Sequence, residues 1–473
     1  MKRPVLLLLA IGLVFITLPS FFERLHSDEV IYWEVASNIA SGLGAVSETS
    51  NNRLFFWHMP LPFFATAPFL KIVPHIFTAR VISSLFTIGT FILVFLIGER
   101  KFGRDEGLIG AFLFLFSFQA LRFGGRYYLD QYGAFFFLLS LYLLMDKRYS
   151  FAGISALAAI LAREYWLVVY PFLLLYIQGR RERLLFVTPA VAGVLGFIIF
   201  LLFTSNLQVL RLYLFESALM KNFHASVFGH GFGGYLRQLL RGWVEFSILN
   251  ILVIAGFIRT LGRNRRILLL VLPQIAIVSL IHGFIVDGGV TQYPLPLIAT
   301  LSIFSGAGLK MIYERSIGAF ILRRQFTTVA FAVVFMQFIA FNAMATGISL
   351  HKNIGIYAFG YSDDREIIRI LETEAKGQFI HGIHGAFIQE RGRWDWTDYM
   401  IQEAIEKDPD WLITYDNYIE ISSEENLRKG LKIYRIGPYV MIHTLEKGLL
   451  GLAVRQKEFP KWALLPIQNP GQP

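Results

Sequence analysis

The chain has 473 residues, 55% of them hydrophobic and 16% charged, with a mean hydropathy of +0.52 and a net charge of +10. A soluble domain carries about 25% charged residues, so this composition describes an integral membrane protein with modest extramembrane parts. With 0 cysteines, the chain excludes disulfides, thiolate metal sites and cysteine nucleophiles. Its Lys and Arg fall between hydrophobic runs, which fits the positive-inside rule and argues against nucleic acid as a partner.

Lys2-Arg3 precede a first apolar run over 5–22. A short basic start suits a signal peptide, but no small-x-small cleavage site follows, so the run reads as a retained span. Directly after it stand Asp28-Glu29. A carboxylate at the bilayer centre costs roughly 2.5–3.5 kcal/mol, and an interfacial one less, so the pair is either a solvated helix end or a functional element. Residues 28–41 show amphipathic helical spacing that ends at Gly42. The two acids fall in its first turn, where the helix dipole favours anions. A polar loop over 42–60 carries Arg53 and His58-Met59-Pro60. The stretch 61–73 is short, holds Pro62, Pro68 and Lys71, and reads as an interfacial or half-inserted helix.

Further spans are expected at 76–98, 107–121, 132–145, 151–162, 165–178, 184–204, 241–258, 267–286, 293–312 and 326–347, making about eleven. The two at 151–178 are separated only by Arg163-Glu164; one long broken helix is the alternative there and would change the parity, and the loop charges favour eleven spans. Placing the N-terminus in the cytoplasm makes every inner loop basic, from Arg100 to Arg104 through to Lys310 to Arg324. The outer connections then hold Asp28, Glu29, Asp130, Glu164, Glu216 and Asp287.

Near residue 350 the composition shifts. A helix from Asp363 to Glu374 with Ser362 as N-cap is expected. Strands are expected near 378–383, 410–415, 431–436 and 438–444, and helices at 397–407 and 422–429. The expected architecture is a mainly α polytopic bundle over 1–349, with its first outer loop at 23–75. A small extracytoplasmic α/β domain over 350–473 follows it. No Walker-type or dinucleotide-binding glycine motif appears, which argues against an ATP-driven pump.

Several chemical groups share the outer level in this topology: Asp28, Glu29, Tyr32, Arg53, His58, Arg122, Arg126, Asp130, Arg163, Glu164, Gln292 and Tyr293. Arginine forks suit phosphate, and a carboxylate in reach of a hydroxyl takes its proton. Each group also has a plainer role. Arg122 and Arg126 serve equally as snorkelling anchors, Asp130 as a helix N-cap and His58 as a polar loop residue. Arg163, flanked by apolar residues, points to a buried role. Trp394-Asp395-Trp396 reads as packing rather than sugar stacking.

The pattern Asp28-Glu29-x-x-Tyr32-x-x-x-Ala36-x-Asn38 after a first span resembles the opening of the GT-C glycosyltransferases. The similar branch holds the protein O-mannosyltransferases and the aminoarabinose transferase of lipid A. His58-Met59-Pro60-Leu61, Arg126-Tyr127-Tyr128-Leu129-Asp130, Ala162-Arg163-Glu164 and Gln292-Tyr293-Pro294-Leu295-Pro296 resemble later elements of that family, in order. Gln292 departs from it, standing where the family often has Arg.

The resemblance implies inverting transfer of a sugar from a polyprenyl- or dolichyl-phosphate donor to an acceptor hydroxyl on the outer face. Asp28, Glu29 and Asp130 would be catalytic, with Asp28 the base. Arg53, Arg122, Arg126 and Arg163 would hold the donor phosphate, and Tyr32, His58, Glu164, Gln292 and Tyr293 the substrates. No cofactor is required; a divalent metal, used by some relatives, would fall to Asp28 and Asp130. The expected partners are a lipid-linked donor, a glycan, lipid or protein acceptor, and the plasma membrane of a bacterium or archaeon. A transporter or flippase of anionic substrates and a non-catalytic scaffold are the competing readings.

Overall fold

The computed structural model describes residues 3–203 except 24, 26, 48–52 and 55–57. It also describes 252–260, 273, 295–316, 332, 361–375, 378–382, 394–395, 408–415, 419–425, 429–437 and 439–456. The expected spans at 267–286 and 326–347 (save positions 273 and 332), residues 241–251 of that at 241–258, the helix at 397–407 and residues 426–428 of that at 422–429 lie outside these residues, as do Gln292 and Tyr293. The chain divides into two compact units, one of residues 1–20 and 55–357, the other of 21–54 and 358–473. The segment bearing Asp28 and Glu29 therefore groups with the C-terminal residues rather than with the helices that flank it in sequence.

The first unit is helical. Helix α1 (Arg3–Gly12) runs through a wide π-type turn at Leu13–Thr17 to Ser20. In the second unit follow α2 (Ser27–Ala40), β1 (Val46–Ser47) and β2 (Arg53–Leu54). The first unit resumes with α3 (Leu61–Ile72), α4 (Ile76–Lys101), α5 (Arg104–Leu115), α6 (Phe118–Phe123), α7 (Asp130–Met145), α8 (Tyr149–Ala162), α9 (Trp166–Tyr176), α10 (Arg180–Phe203) and α11 (Leu295–Ser316). Among the described residues, Ile76–Lys101, Arg180–Ile199 and Leu295–Glu314 are long and apolar enough to cross a membrane. The expected span at 107–121 is broken instead. Ser117 accepts the Ala120 amide as an N-cap and restarts the chain as the short α6.

Close helix contact in this unit depends on missing side chains. A Cβ at Gly306 on α11 would lie 2.0 Å from the Glu106 carbonyl oxygen, and one at Gly110 on α5 2.4 Å from that of Ser302. The two helices thus meet backbone to backbone, as small residues allow between membrane helices. At the same contact Glu106, buried to 2% exposure, is neutralised by Lys310 at 2.5 Å.

The second unit holds a five-stranded mixed sheet in the order β4-β3-β5-β8-β7. Its strands are β3 (Ile380–Gly382), β4 (Trp394–Asp395), β5 (Trp411–Tyr415), β7 (Leu431–Ile436) and β8 (Tyr439–Thr444). Helix α12 (Tyr361–Glu374) buries Ile367, Ile370 and Leu371 against Trp411, Ile413, Tyr439 and Met441 on one face. The helix starts before Ser362, so the expected cap position lies inside its first turn. The other face packs Leu412, Val440 and Ile442 against Ile419, Leu450 and Val454. These last come from β6 (Ile419–Ile421), α13 (Leu449–Ala453) and β9 (Val454–Gln456). Burial on both faces explains why β5 reads as a continuous apolar run rather than an alternation.

A buried bond ties the early segment into this unit. The Leu25 amide donates to Asp364 Oδ2 at 2.8 Å, and Asp364 is fully buried in the first turn of α12. Helix α2 is held in turn by Asn38, which donates to the Val46 carbonyl, and by Ser47, which donates to Glu34 Oε2 at 3.0 Å.

Gly306→Ala forces two backbones apart and costs about 1–3 kcal/mol, read as a lower melting point in detergent. Gly196→Ala meets nothing within 4 Å and leaves the melting point unchanged or higher. Asp364→Ala strands the Leu25 amide, at a cost of about 1–3 kcal/mol. Hydrogen exchange will then accelerate across residues 27–40 and not across α7, whereas unchanged exchange there would refute the tie.

Candidate functional site

The break between α8 and α9 builds the site. Arg163 leaves helical geometry (φ −148°, ψ 121°), and the next helix restarts at Trp166. This extended residue turns the guanidinium inward, leaving it 1% exposed. Its Nε and Nη2 donate to the two oxygens of Asp130, at 3.1 and 2.9 Å. The Tyr165 hydroxyl adds a third bond to Asp130 Oδ1 at 3.1 Å.

Asp130 opens α7, where the backbone dipole favours its charge. It does not serve as the N-cap, a position taken by Leu129, and its side chain is fully buried against Arg163. Both its oxygens are thereby committed beside a fixed positive charge. That environment suits an anchor for the arginine and does not fit a ligand to a divalent cation. Among the described residues no three His, Asp or Glu converge as a metal site.

His58 and Glu164 complete the cluster. His58 Nδ1 lies 2.8 Å from Arg163 Nη1 and 3.2 Å from Glu164 Oε1. Burial raises the Glu164 carboxyl, but the charges of His58 and Arg163 and the His58 hydrogen bond outweigh it and bring it down to about 2. Glu164 therefore stays ionised throughout the neutral range. Around this core, Thr66 and Tyr132 share a hydrogen bond at 2.8 Å, and Tyr127 donates to the Pro62 carbonyl. Both bonds fasten the short α3, which begins three residues after His58, to α7 and its preceding turn.

The structure therefore brings four of the sequence candidates together: Asp130, Arg163, Glu164 and His58. Arg126 and Arg122 are buried on the segment leading into α7, at 1% and 8% exposure. Asp28, Glu29, Tyr32 and Arg53 belong to the second unit. There, in the first turn of α2, Asp28 is half-buried and Glu29 fully buried, while Tyr32 is 4% exposed.

Two residues escaped the sequence reading. Tyr165 passed as an apolar flank, and nothing in the sequence alone distinguishes it. Arg80 is fully buried near the start of α4 and donates through Nη1 to the Ser20 carbonyl at 2.5 Å, capping the end of the first helix. A lone charge inside an apolar span is a functional signal in its own right and marks Arg80 in the sequence.

No protein-family model matches the sequence, and no curated protein matches it. Among solved structures, ArnT from Cupriavidus metallidurans bound to undecaprenyl phosphate is similar, with a TM-score of 0.55 at 15% identity. The match covers 95% of this chain and 99% of that one. The apo state of the same ArnT matches with a TM-score of 0.55 at 14% identity, over 93% and 98% of the two chains. The apo oligosaccharyltransferase of Archaeoglobus fulgidus has a TM-score of 0.47 at 13% identity, over 79% of this chain and 58% of that one. The likeness to ArnT extends over nearly the full length of both chains and shows a shared fold.

The anchoring role of Asp130 is open to a direct test. Asp130→Asn takes the paired carboxylate from the buried Arg163 fork, at a cost of about 3–5 kcal/mol. Tyr165→Phe removes one bond to a charged acceptor, at about 1.5–3 kcal/mol. Detergent melting curves should rank the first well below the second, and an undisturbed melting point in Asp130→Asn would dismiss the anchor.

Proposed function

We propose that the protein is an inverting glycosyltransferase. It moves a sugar from a polyprenyl- or dolichyl-phosphate donor to an acceptor hydroxyl at the outer face of a bacterial or archaeal plasma membrane. The observation that carries this reading is the buried Asp130–Arg163 pair with His58 and Glu164 at a helix break. What supports the donor class is the fold shared with ArnT, whose crystal structure holds undecaprenyl phosphate. Residues 1–349 form the membrane domain in this reading, with the N-terminus cytoplasmic, and residues 350–473 lie outside.

Asp28 is the proposed base. The acceptor oxygen attacks the anomeric carbon and loses its proton to Asp28 as the bond from that carbon to the phosphate oxygen breaks. The bonding pair leaves with the lipid phosphate, and single displacement inverts the centre. Negative charge grows on the phosphate in the transition state, so fixed cations lower the barrier without reorganising. Arg163 and Arg126 supply it, with Arg53 and Arg122 as further candidates, and Asp130 holds Arg163 in place. Glu29 orients the helix that carries Asp28. Tyr32, Gln292 and Tyr293 complete the substrate contacts.

Asp28 is half-buried while its neighbour Glu29 is fully buried, which suits the first to meet an acceptor and the second to hold the helix. Asp28→Asn should lower turnover about 10²–10⁴-fold in proteoliposomes given labelled lipid-linked sugar, without changing the melting point. Near-normal turnover would remove Asp28 from the chemistry. Counterflow of the label with its phosphate bond intact would replace transfer by transport.

A further inference from the structure

The proposed base stands on a helix whose entry is anchored far away in the sequence. Helix α2 begins at Ser27 and carries Asp28 in its first turn. Two residues before that start, the Leu25 amide donates to Asp364 Oδ2 at 2.8 Å, 339 positions along the chain. Leu25 and Asp364 are both buried, so the bond is made out of water. A carboxylate is kept in such a place only where partners satisfy it, and the first turn of α12 favours its charge.

The position of Asp364 is set in turn by packing. Helix α12 lays Ile367, Ile370 and Leu371 on Trp411, Ile413, Tyr439 and Met441. The strand from Trp411 to Tyr415 lies in the middle of the sheet, paired in parallel with β3 and antiparallel with β8. The carboxylate that receives the Leu25 amide is therefore carried by a helix docked on the hydrophobic core of this unit. From Leu25 to Asp28 the chain makes three Cα steps, which span at most about 10–11 Å. Whatever fixes the Leu25 amide also fixes the entry of α2 and the place of its first turn.

We infer that Asp364 is a positioning residue for Asp28, and that α12 with its sheet is the platform that holds the base in place. This rests on the reading of Asp28 as the base and deepens it. Asp364 does not touch the reacting atoms. It fixes the start of the helix that bears the carboxylate, and a base acts only within hydrogen-bond reach of the proton it takes. A misplacement of about 1 Å, caused far from the chemistry, costs as much as about 10²-fold in rate.

The probe is a labelled series of undecaprenyl-phosphate hexoses and pentoses, given to proteoliposomes of the full-length chain and read as sugar released from the lipid. The compound that the wild type turns over is used throughout. Asp364→Ala should lower kcat about 10–10²-fold and leave the donor KM unchanged, because Arg122, Arg126 and Arg163 belong to the other unit. Asp364→Asn keeps an oxygen that accepts from the Leu25 amide and should recover most of the lost turnover. Where Asp364→Ala folds poorly, Leu25→Pro removes the donating N–H instead and should give the same loss.

The decisive comparison places Asp364→Ala in Asp28→Asn. A residue that acts through Asp28 costs nothing further once that carboxylate is gone, since groups that work as a unit are not additive. Full turnover in Asp364→Ala, or a loss that multiplies with that of Asp28→Asn, would overturn the positioning role and leave Asp28 as the base. Near-normal turnover in Asp28→Asn would overturn the base and the positioning role together. Release of no sugar from any member of the series by the wild type would overturn the transferase reading as well.

Discussion

The helical unit depends on the ion pair between Asp130 and Arg163. Two charges taken out of water cost several kcal/mol each, and mutual attraction repays this only with good geometry and satisfied lone pairs. Here the guanidinium fork meets the carboxylate edge on, Tyr165 takes a further lone pair, and the start of α7 adds a favourable dipole. The neighbouring packing is built around the same point. Gly133, one turn along α7, leaves room that a Cβ would fill 2.6 Å from Trp166 Nε1. Trp166 in turn stacks on Phe137 at 4.1 Å. The break between α8 and α9 is thus locked from the polar side by a salt bridge and from the apolar side by a ring stack.

A locked break suits electrostatic work. A cation whose position is over-determined before the ligand arrives stabilises developing charge without reorganising. Arg163 is fixed along one edge by Asp130, and His58 and Glu164 meet at its remaining face. The short helix α3 follows directly after His58 and is fastened through Thr66 and Tyr127, so the imidazole too is presented from a fixed base.

Much of this was legible in the sequence, and the reasons differ by element. The helices at 27–40, 61–72, 76–101 and 130–145 declared themselves by apolar runs and turn residues. The broken helix at Arg163-Glu164 was visible because two charges between apolar stretches cannot continue a lipid-facing span cheaply. The strand pairs β1–β2 and β6–β9 were not foreseen. They are two or three residues long, too short for a period-2 pattern to register. The partnership of Asp130 with Arg163 was also hidden, because the residues stand 33 positions apart and each has a plausible local role. Burial and a two-bond pairing with Arg163 are what the structure adds for Asp130.

The acidic pair in the second unit follows the same logic of burial. Asp28 is half-buried, whereas from Glu29 onward α2 buries consecutive residues, Val30, Ile31 and Tyr32 among them, and Glu29 is itself fully buried. A carboxylate enclosed in that way can hold a helix but cannot be reached by an incoming hydroxyl. Asp28, one residue earlier in the first turn, retains access to solvent. A base must reach its proton within hydrogen-bond distance of the acceptor, so of two chemically equivalent acids only the half-buried one suits that task. The sequence shows the pair as equals, and it is the difference in their burial that separates them.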